Sequence, residues 1–151
     1  MIYTVTYIEE IRPTWREFDR KIHENLQGAF GIDVHYYVGV RGDDKRWFDS
    51  AGGHEVRKFV YSVHDVGREL ENINYVNVQP LKVFDEYKVG KKYVLEDFIH
   101  PEEDCCYIFG PNHGGVVIAP NGINVTIPIN KSSLYASSAV AIIMYDRRVK
   151  E

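Results

Sequence analysis

The residues best suited to chemistry lie in the last third of the chain. A glycine-rich segment, residues 109–116, directly follows an apolar run, residues 105–109, that has the composition of a buried strand. Glycines at the carboxyl end of a strand let backbone groups approach a ligand closely, and open α/β sheets bind their ligands at that edge. The segment Ile127-Pro128-Ile129 follows, and then a serine-rich helix start at residues 132–138, where the serines can cap the first N–H groups and leave some available for an anion. Each piece alone is typical of a turn or a cap, so the signal lies in their order.

In this order, the three segments resemble the SPOUT superfamily, and within it the TrmH-like 2′-O-ribose methyltransferases of tRNA and rRNA. The family's second motif reads roughly Phe-Gly-Pro/Asn-Glu-x-x-Gly-Leu, and residues 109–116 match it except at Asn112 and at the last position. The third motif joins Ile-Pro-Met to Ser-Leu-Asn-x-Ser-x-Ala, and the sequence matches it with Ile129 for Met and Tyr135 for Asn. The match covers residues 105–146, and the rest of the chain agrees in the order of its elements and in length.

The resemblance implies a C-terminal deep trefoil knot that grips S-adenosylmethionine in a bent conformation, largely through main-chain groups. The positions that inherit cofactor binding are Gly110, Pro111, Ile127, Pro128, Ile129 and Leu134. The candidate catalytic groups are Asn112, Tyr135 and Arg20, and the candidate RNA-binding residues are Arg12, Arg16 and Ser133. The resemblance also implies a third cofactor loop around residues 84–85 and a homodimer with the knot-region helices at its interface.

The first motif of the family is changed in this sequence. In the family it is an Asn-x-Gly-x-x-x-Arg helix that ends in Phe-Gly. Here Phe30-Gly31 ends the corresponding helix, and Asn25 stands where the arginine would be. An amide cannot replace a guanidinium as a fixed cation with a forked donor set, although Arg16 and Arg20 lie on the same predicted helix. The other two motifs are also changed, at Asn112 and Tyr135. Catalysis is therefore either carried out by other residues or lost.

Three functions therefore stay open. The first is an S-adenosylmethionine-dependent RNA methyltransferase that acts on a ribose 2′-hydroxyl of tRNA or rRNA. The second is a catalytically inactive module that keeps the fold and serves in binding or assembly. The third keeps the cofactor and changes the acceptor to a base nitrogen or a small molecule. Binding of the cofactor together with methyl incorporation into RNA separates the first function from the second.

Other groupings of reactive side chains fit a site less well. His100, Cys105, Cys106 and His113 include the residue types of a four-ligand zinc site. Successive residues of a strand point to opposite faces, so the two cysteine side chains diverge, and we expect no metal. A thiol on a buried strand has a raised pKa, which argues against a cysteine nucleophile. Three further histidines are predicted to lie on the surface: His23, His54 and His64.

Composition and charge narrow the class of protein. A hydrophobic fraction of 44% and a charged fraction of 26% are those of an ordinary globular domain. The net charge of −4 argues against a protein that coats nucleic acid, so RNA contacts must come from a few residues or from a partner. No apolar run is long enough to cross a bilayer, and we see no secretion signal. The two cysteines are adjacent, which fits a reducing cytoplasm better than a disulfide framework.

The elements that position these residues alternate between strand and helix patterns. Strands are predicted over residues 3–8, 34–40, 75–78, 105–109 and 123–129, with another possible at 83–89. Helices are predicted from Thr14 to a left-handed cap at Gly31, over residues 63–73, and from Leu134 to Tyr145. The first helix carries an apolar stripe formed by Trp15, Phe18, Ile22, Leu26 and Ala29. The alternation predicts one α/β domain over residues 1–151, with a mainly parallel sheet flanked by helices.

Overall fold

The computed structural model describes residues 1–7, 13–39, 57–60, 62–80, 91–110, 122–129 and 134–151, with the backbone alone at residues 13–16 and 59. Within these residues lie seven strands, three helices and a single 3₁₀ turn at Leu95–Asp97. The strands are β1 (Ile2–Tyr7), β2 (Val34–Val38), β3 (Arg57–Val60), β4 (Asn74–Gln79), β5 (Lys92–Val94), β6 (Cys105–Phe109) and β7 (Ile123–Thr126). The helices are α1 (Pro13–Phe30), α2 (Val63–Glu69) and α3 (Ala136–Lys150).

The strands form one sheet in the order β3-β2-β1-β6-β4-β7-β5, and every neighbouring pair is parallel. Parallel strands need crossover connections, and the helices that follow β1, β3 and β7 are part of such connections or close the chain. Because all strands run the same way, their carboxyl ends share one edge of the sheet. The predicted α/β architecture with a parallel sheet and flanking helices is confirmed.

Both faces of the sheet are covered, which is why the central strands β2 and β6 are buried along their whole length. One face packs against α1 and α3, and its core includes Leu26, Val78, Tyr107, Val140 and Ile143. The other face packs against α2, and its core includes Val5, Tyr36, Val66, Leu70 and Ile108. Alternate residues of β6 enter the two cores, as the two-residue period of a strand requires.

Two strands were not predicted from the sequence, and both lie at the edges of the sheet. Strand β3 begins with Arg57-Lys58 and β5 begins with Lys92, and none of the predicted strands covers either segment. Edge strands expose one side to solvent and are commonly protected by charged residues, so they lack the apolar pattern of the interior strands. The possible strand at residues 83–89 lies outside the described residues.

Helix α3 begins two residues later than predicted and extends to Lys150 rather than Tyr145. Arg147, Arg148 and Lys150 therefore lie within its last turn, where cations interact favourably with the helix dipole. The Lys150 ammonium also donates to the carbonyls of Leu95 at 2.6 Å and Phe98 at 2.9 Å, which anchors the helix end to the chain before β6. No helix in the described part of the chain has the length and apolar character needed to span a bilayer.

The buried face of α1 differs from the predicted apolar stripe. Phe18 is largely exposed, whereas the polar residues His23 and Gln27 are buried beside Leu26. The prediction that His23 lies on the surface is wrong, because the strands beneath α1 present polar side chains that it can pack against. The helix ends as predicted: Gly31 has φ of 66°, and the Ile32 N–H donates to the Gln27 carbonyl at 3.1 Å.

Candidate active site at the carboxyl edge of the sheet

The candidate site begins where three neighbouring strands end. Strand β4 lies between β6 and β7, with Val78 paired to Phe109 and Gln79 paired to Thr126. The chain therefore leaves β6 at Gly110 and β7 at Ile127 on either side of the end of β4. In open parallel sheets the crevice at this edge is the usual ligand position. Gly110 and Ile127, which begin the two motif segments, are 17 residues apart in the sequence. The structure brings them to the same edge of the sheet.

The segment after β7 forms a compact turn. The Ile129 N–H donates to the Ile127 carbonyl at 2.9 Å, which places Pro128 at the centre of a three-residue turn. Proline suits that position because its ring fixes φ near the value of an inverse γ-turn. Ile127 and Leu134 are half-buried and pack against the core beneath α3, while Pro128 is exposed. The segment is therefore held from below and presents its proline outward.

Tyr135 lies at the start of α3 and is exposed at the same edge. Its carbonyl accepts the first helical hydrogen bond, from the Ala139 N–H at 3.0 Å. Its side chain makes no capping bond among the described residues and is 68% exposed. A helix that begins with tyrosine lacks the oxygen with which serine or aspartate would cap its first N–H groups. The Tyr135 side chain is therefore accessible to a substrate at the start of α3.

Arg20 lies on α1 and is already engaged by a carboxylate. Its Nη1 donates to Glu24 Oε1 at 3.0 Å, one helical turn away. The same carboxylate lies 3.6 Å from Arg57 Nη1, and the Arg57 Nε donates to Gln27 Oε1 at 3.0 Å. Helix α1 follows β1, so its first turns lie near the carboxyl edge. A catalytic role for Arg20 would require its cation to act while shared with Glu24.

The structure adds one residue at this edge that the sequence reasoning did not select. Gln79, the last residue of β4, is only 6% exposed, and its amide nitrogen and oxygen have no partner among the described residues. It belongs to a buried polar row on the face of α2 that also contains Asn77, Asn124 and Thr126. The predicted strand ends at Val78, and the sequence alone does not indicate that the Gln79 side chain is buried at the end of β4.

The other predicted site residues fall outside what the structure describes. Pro111, Asn112, Arg12 and Ser133 lie outside the described residues, and only the backbone of Arg16 is described. Their roles stay predictions.

Cys105, Cys106 and His100 contribute to the packing and hydrogen bonding of the fold. Cys105 and Cys106 are buried in the cores on opposite faces of the sheet, and burial raises the pKa of the Cys105 thiol to about 11. His100 is held by two neighbours: its Nδ1 lies 2.8 Å from the Tyr107 hydroxyl and its Nε2 lies 2.7 Å from Asp146 Oδ2. Among the described residues, no three potential ligands are grouped as a metal site.

A second buried polar cluster lies beneath α1, on β1 and β2. The His35 ring lies between two hydroxyls, with Nδ1 2.6 Å from Thr4 Oγ1 and Nε2 2.8 Å from Thr6 Oγ1. The His23 ring stacks on it, with the ring centroids 4.6 Å apart. Burial lowers the pKa of both histidines, that of His23 to about 4, so both are neutral at pH 7. The cluster fixes α1 against the sheet.

Comparison with known proteins places the fold among RNA methyltransferases. No protein-family model matches the sequence, and a search of curated proteins finds no sequence relative. Among solved structures, a Bacillus anthracis protein assigned as an RNA methyltransferase superposes with a TM-score of 0.64 at 18% identity, over 99% of this chain and 94% of that one. A structure that addresses 2′-OH methylation of C/U34 on tRNA gives 0.64 at 16% identity, over 99% and 95%. A Haemophilus influenzae protein of a methylase family gives 0.67 at 14% identity, and this chain covers 64% of it. At these identities the likeness is one of fold, and it agrees with the predicted α/β architecture of a parallel sheet flanked by helices.

Proposed function

We propose that this chain binds S-adenosylmethionine at the carboxyl edge of β6, β4 and β7 and methylates a ribose 2′-hydroxyl of tRNA or rRNA. The observation that carries the proposal is the register that sets Gly110 and Ile127 on either side of the end of β4. The fold it shares with RNA methyltransferases supports the reaction class. The motif resemblance supports the choice of the ribose hydroxyl.

The residues at this edge fit such a ligand. Gly110 has no side chain to obstruct its backbone, and Ile127 and Leu134 supply half-buried apolar surface. Gln79 supplies a buried carboxamide that has no partner among the described residues. When bound, the cofactor supplies an electrophilic methyl group on a sulfonium centre. The protein's task is then to hold a hydroxyl in line with that methyl group and to keep competing water out, because positioning contributes much of the acceleration in such a displacement.

Tyr135 and the first turn of α3 are suited to holding the RNA. The exposed phenol of Tyr135 can donate to a ribose or phosphate oxygen at the start of α3. A net charge of −4 argues against broad electrostatic contact with RNA, so we assign the phosphate contacts to a few residues, Arg12 and Arg16. Asn112, Tyr135 and Arg20 remain our candidates for the catalytic groups.

We further propose that residues 1–151 form one knotted methyltransferase domain that acts in the cytoplasm as a homodimer. Helix α3 carries an exposed apolar row, Ile142, Tyr145 and Val149, which a second copy would cover. The row lies along a groove of about 470 Å³ lined by Phe30, Leu95, Ala141, Ile142, Tyr145, Asp146 and Val149.

A catalytically inactive binding module is the second candidate, and one observation favours it. The family's arginine position holds Asn25, and the nearest alternative, Arg20, is paired with Glu24 at 3.0 Å. A guanidinium neutralised by a carboxylate is a weaker catalyst of phosphate or hydroxyl chemistry than a free one.

Calorimetry and methyl transfer separate the two candidates. Purified protein is titrated with S-adenosylmethionine and then incubated with methyl-labelled cofactor and unmodified tRNA or rRNA. Micromolar binding with label in the RNA, recovered as a 2′-O-methylnucleotide, is the result we expect. Binding without methyl transfer to any RNA supports the catalytically inactive binding module. Label on a base nitrogen shows that the acceptor is a base and not the ribose hydroxyl. No binding at all overturns the proposal.

A further inference from the structure

The buried side chain of Gln79 is the least satisfied polar group at the carboxyl edge. Both its amide nitrogen and its amide oxygen are buried without a partner among the described residues. Leaving a buried amide unpaired is unfavourable, so a fold rarely keeps one unless something else pairs with it. Gln79 is also the last residue of β4, between the points where the chain leaves β6 and β7.

Its polar neighbours do not satisfy it, because their own hydrogen bonds are made elsewhere. The Asn77 amide nitrogen donates to Asn124 Oδ1 at 3.4 Å, and the Asn124 amide nitrogen donates to the Lys91 carbonyl at 3.3 Å. The Thr126 hydroxyl donates to the backbone carbonyl of Gln79 at 2.8 Å, not to its side chain. This last bond fixes the backbone from which the Gln79 carboxamide extends. The row is therefore an ordered polar layer. At its end, the amide nitrogen and the amide oxygen of Gln79 have no partner among the described residues.

We infer that the Gln79 carboxamide recognises the adenine of the methyl donor, an inference that rests on the function proposed above. A carboxamide presents one acceptor and one donor side by side. Adenine presents the complementary pair, an exocyclic N–H donor beside a ring-nitrogen acceptor, and glutamine pairs with it through two hydrogen bonds. In this inference, Gln79 adds side-chain selection of the base to the main-chain contacts that the motif resemblance implies.

The test uses S-adenosylhomocysteine and an analogue in which purine replaces adenine, so that the exocyclic amino group is missing. Both are titrated into wild-type protein and into Gln79→Met, which keeps the length of the side chain and removes both polar atoms. Wild type should bind the adenine compound about 10- to 100-fold more tightly than Gln79→Met does, the range of a bidentate base contact. Wild type should also prefer adenine over purine, and Gln79→Met should lose that preference.

A matched control separates binding from stability. Gln27 is buried to a similar degree, 7% exposed against 6%, but its Oε1 accepts from Arg57. Gln27→Met should lower the melting temperature and leave the affinity for S-adenosylhomocysteine unchanged. Gln79→Met should not lower the melting temperature of the unliganded protein, because it replaces an unpaired amide with an apolar group.

The outcomes distinguish the inference from the proposed function. If wild type binds S-adenosylhomocysteine and Gln79→Met binds it equally well, the inference is overturned while the proposed function stands. If wild type binds neither compound, the proposed function fails and the inference fails with it. If Gln79→Met does not fold, the amide has a structural role, and equal affinity of wild type for the adenine and purine compounds then overturns the inference without any variant.

Discussion

Two histidines buried side by side between α1 and the sheet should make this fold unstable in mild acid. His23 is 2% exposed and stacks on His35, which is enclosed by the hydroxyls of Thr4 and Thr6. Protonation would place a charge in a buried site and would require both hydroxyls to accept from His35. Two charged rings with centroids 4.6 Å apart would also repel each other. Asp19, 3.6 Å from His23 Nε2, offers only partial compensation because it is half-exposed.

The magnitude follows from the pKa of His23. Burial lowers this pKa from 6.5 to about 4, so between these values the unfolded chain binds a proton that the folded chain does not. Stability is then fully present above pH 6.5 and is lost as the pH falls toward 4. At about 1.4 kcal/mol per pH unit, the loss is about 3 kcal/mol. Burial lowers the pKa of His35 as well, helped by His23 and Arg57, which adds a loss of the same sign.

The assay is urea unfolding at a series of pH values between about 7 and 4.5, with the free energy of unfolding extrapolated to water. His23→Phe keeps a ring stacked on His35 and removes one titrating group, so the slope of stability against pH should become shallower. His64→Gln is the matched control because it removes an exposed histidine on α2, and its slope should equal that of wild type. A wild-type stability that does not change over this range, or a slope that His23→Phe leaves intact, would refute the reasoning.

Three further predictions concern stability, assembly and activity. Tyr107→Phe removes a buried hydroxyl that lies 2.8 Å from His100 Nδ1 and accepts from Arg147 Nη1 at 2.8 Å, so urea unfolding should show a loss of about 1–3 kcal/mol. The proposed homodimer predicts that light scattering shows a dimer for wild type and a monomer for Ile142→Asp, which places a charge in the exposed apolar row of α3; a wild-type monomer or an unchanged mass would exclude this interface. Tyr135→Phe removes only an exposed hydroxyl, so the melting temperature should stay the same while methyl transfer falls about 10- to 100-fold at unchanged cofactor affinity; an unchanged rate would remove Tyr135 from the catalytic groups.

Much of the fold could be predicted because burial on both faces leaves a clear pattern. The apolar runs of β2 and β6 indicate interior strands of a parallel sheet, and the alternation with helices indicates the layers. Edge strands gave no such pattern: Arg57-Lys58 in β3 and Lys92 in β5 look like turn or surface residues until the partner strand is known. The extension of α3 to Lys150 depends on carbonyls of Leu95 and Phe98, which are more than 50 residues away in the sequence.

The candidate site was predictable in part, for a related reason. Motif order selects Gly110 and Ile127, and the parallel register then brings them to one edge. Gln79 and His23 were missed because a polar residue in a buried position has meaning only through its partners. His23 can be buried on the sheet-facing side of α1 because β1 and β2 present hydroxyls and the His35 ring there. Gln79 stands out only once its neighbours Asn124 and Thr126 are seen to bond elsewhere.

The central claim is that a methyl donor binds between the ends of β6 and β7, and amide shifts measured by NMR test it most directly. Titrating isotope-labelled protein with S-adenosylmethionine should shift the backbone amides of Gly110, Ile127, Ile129 and Leu134, and leave those of α2 and β3 unchanged. Shifts confined to α2 and β3, or no shifts at saturating ligand, would contradict the claim.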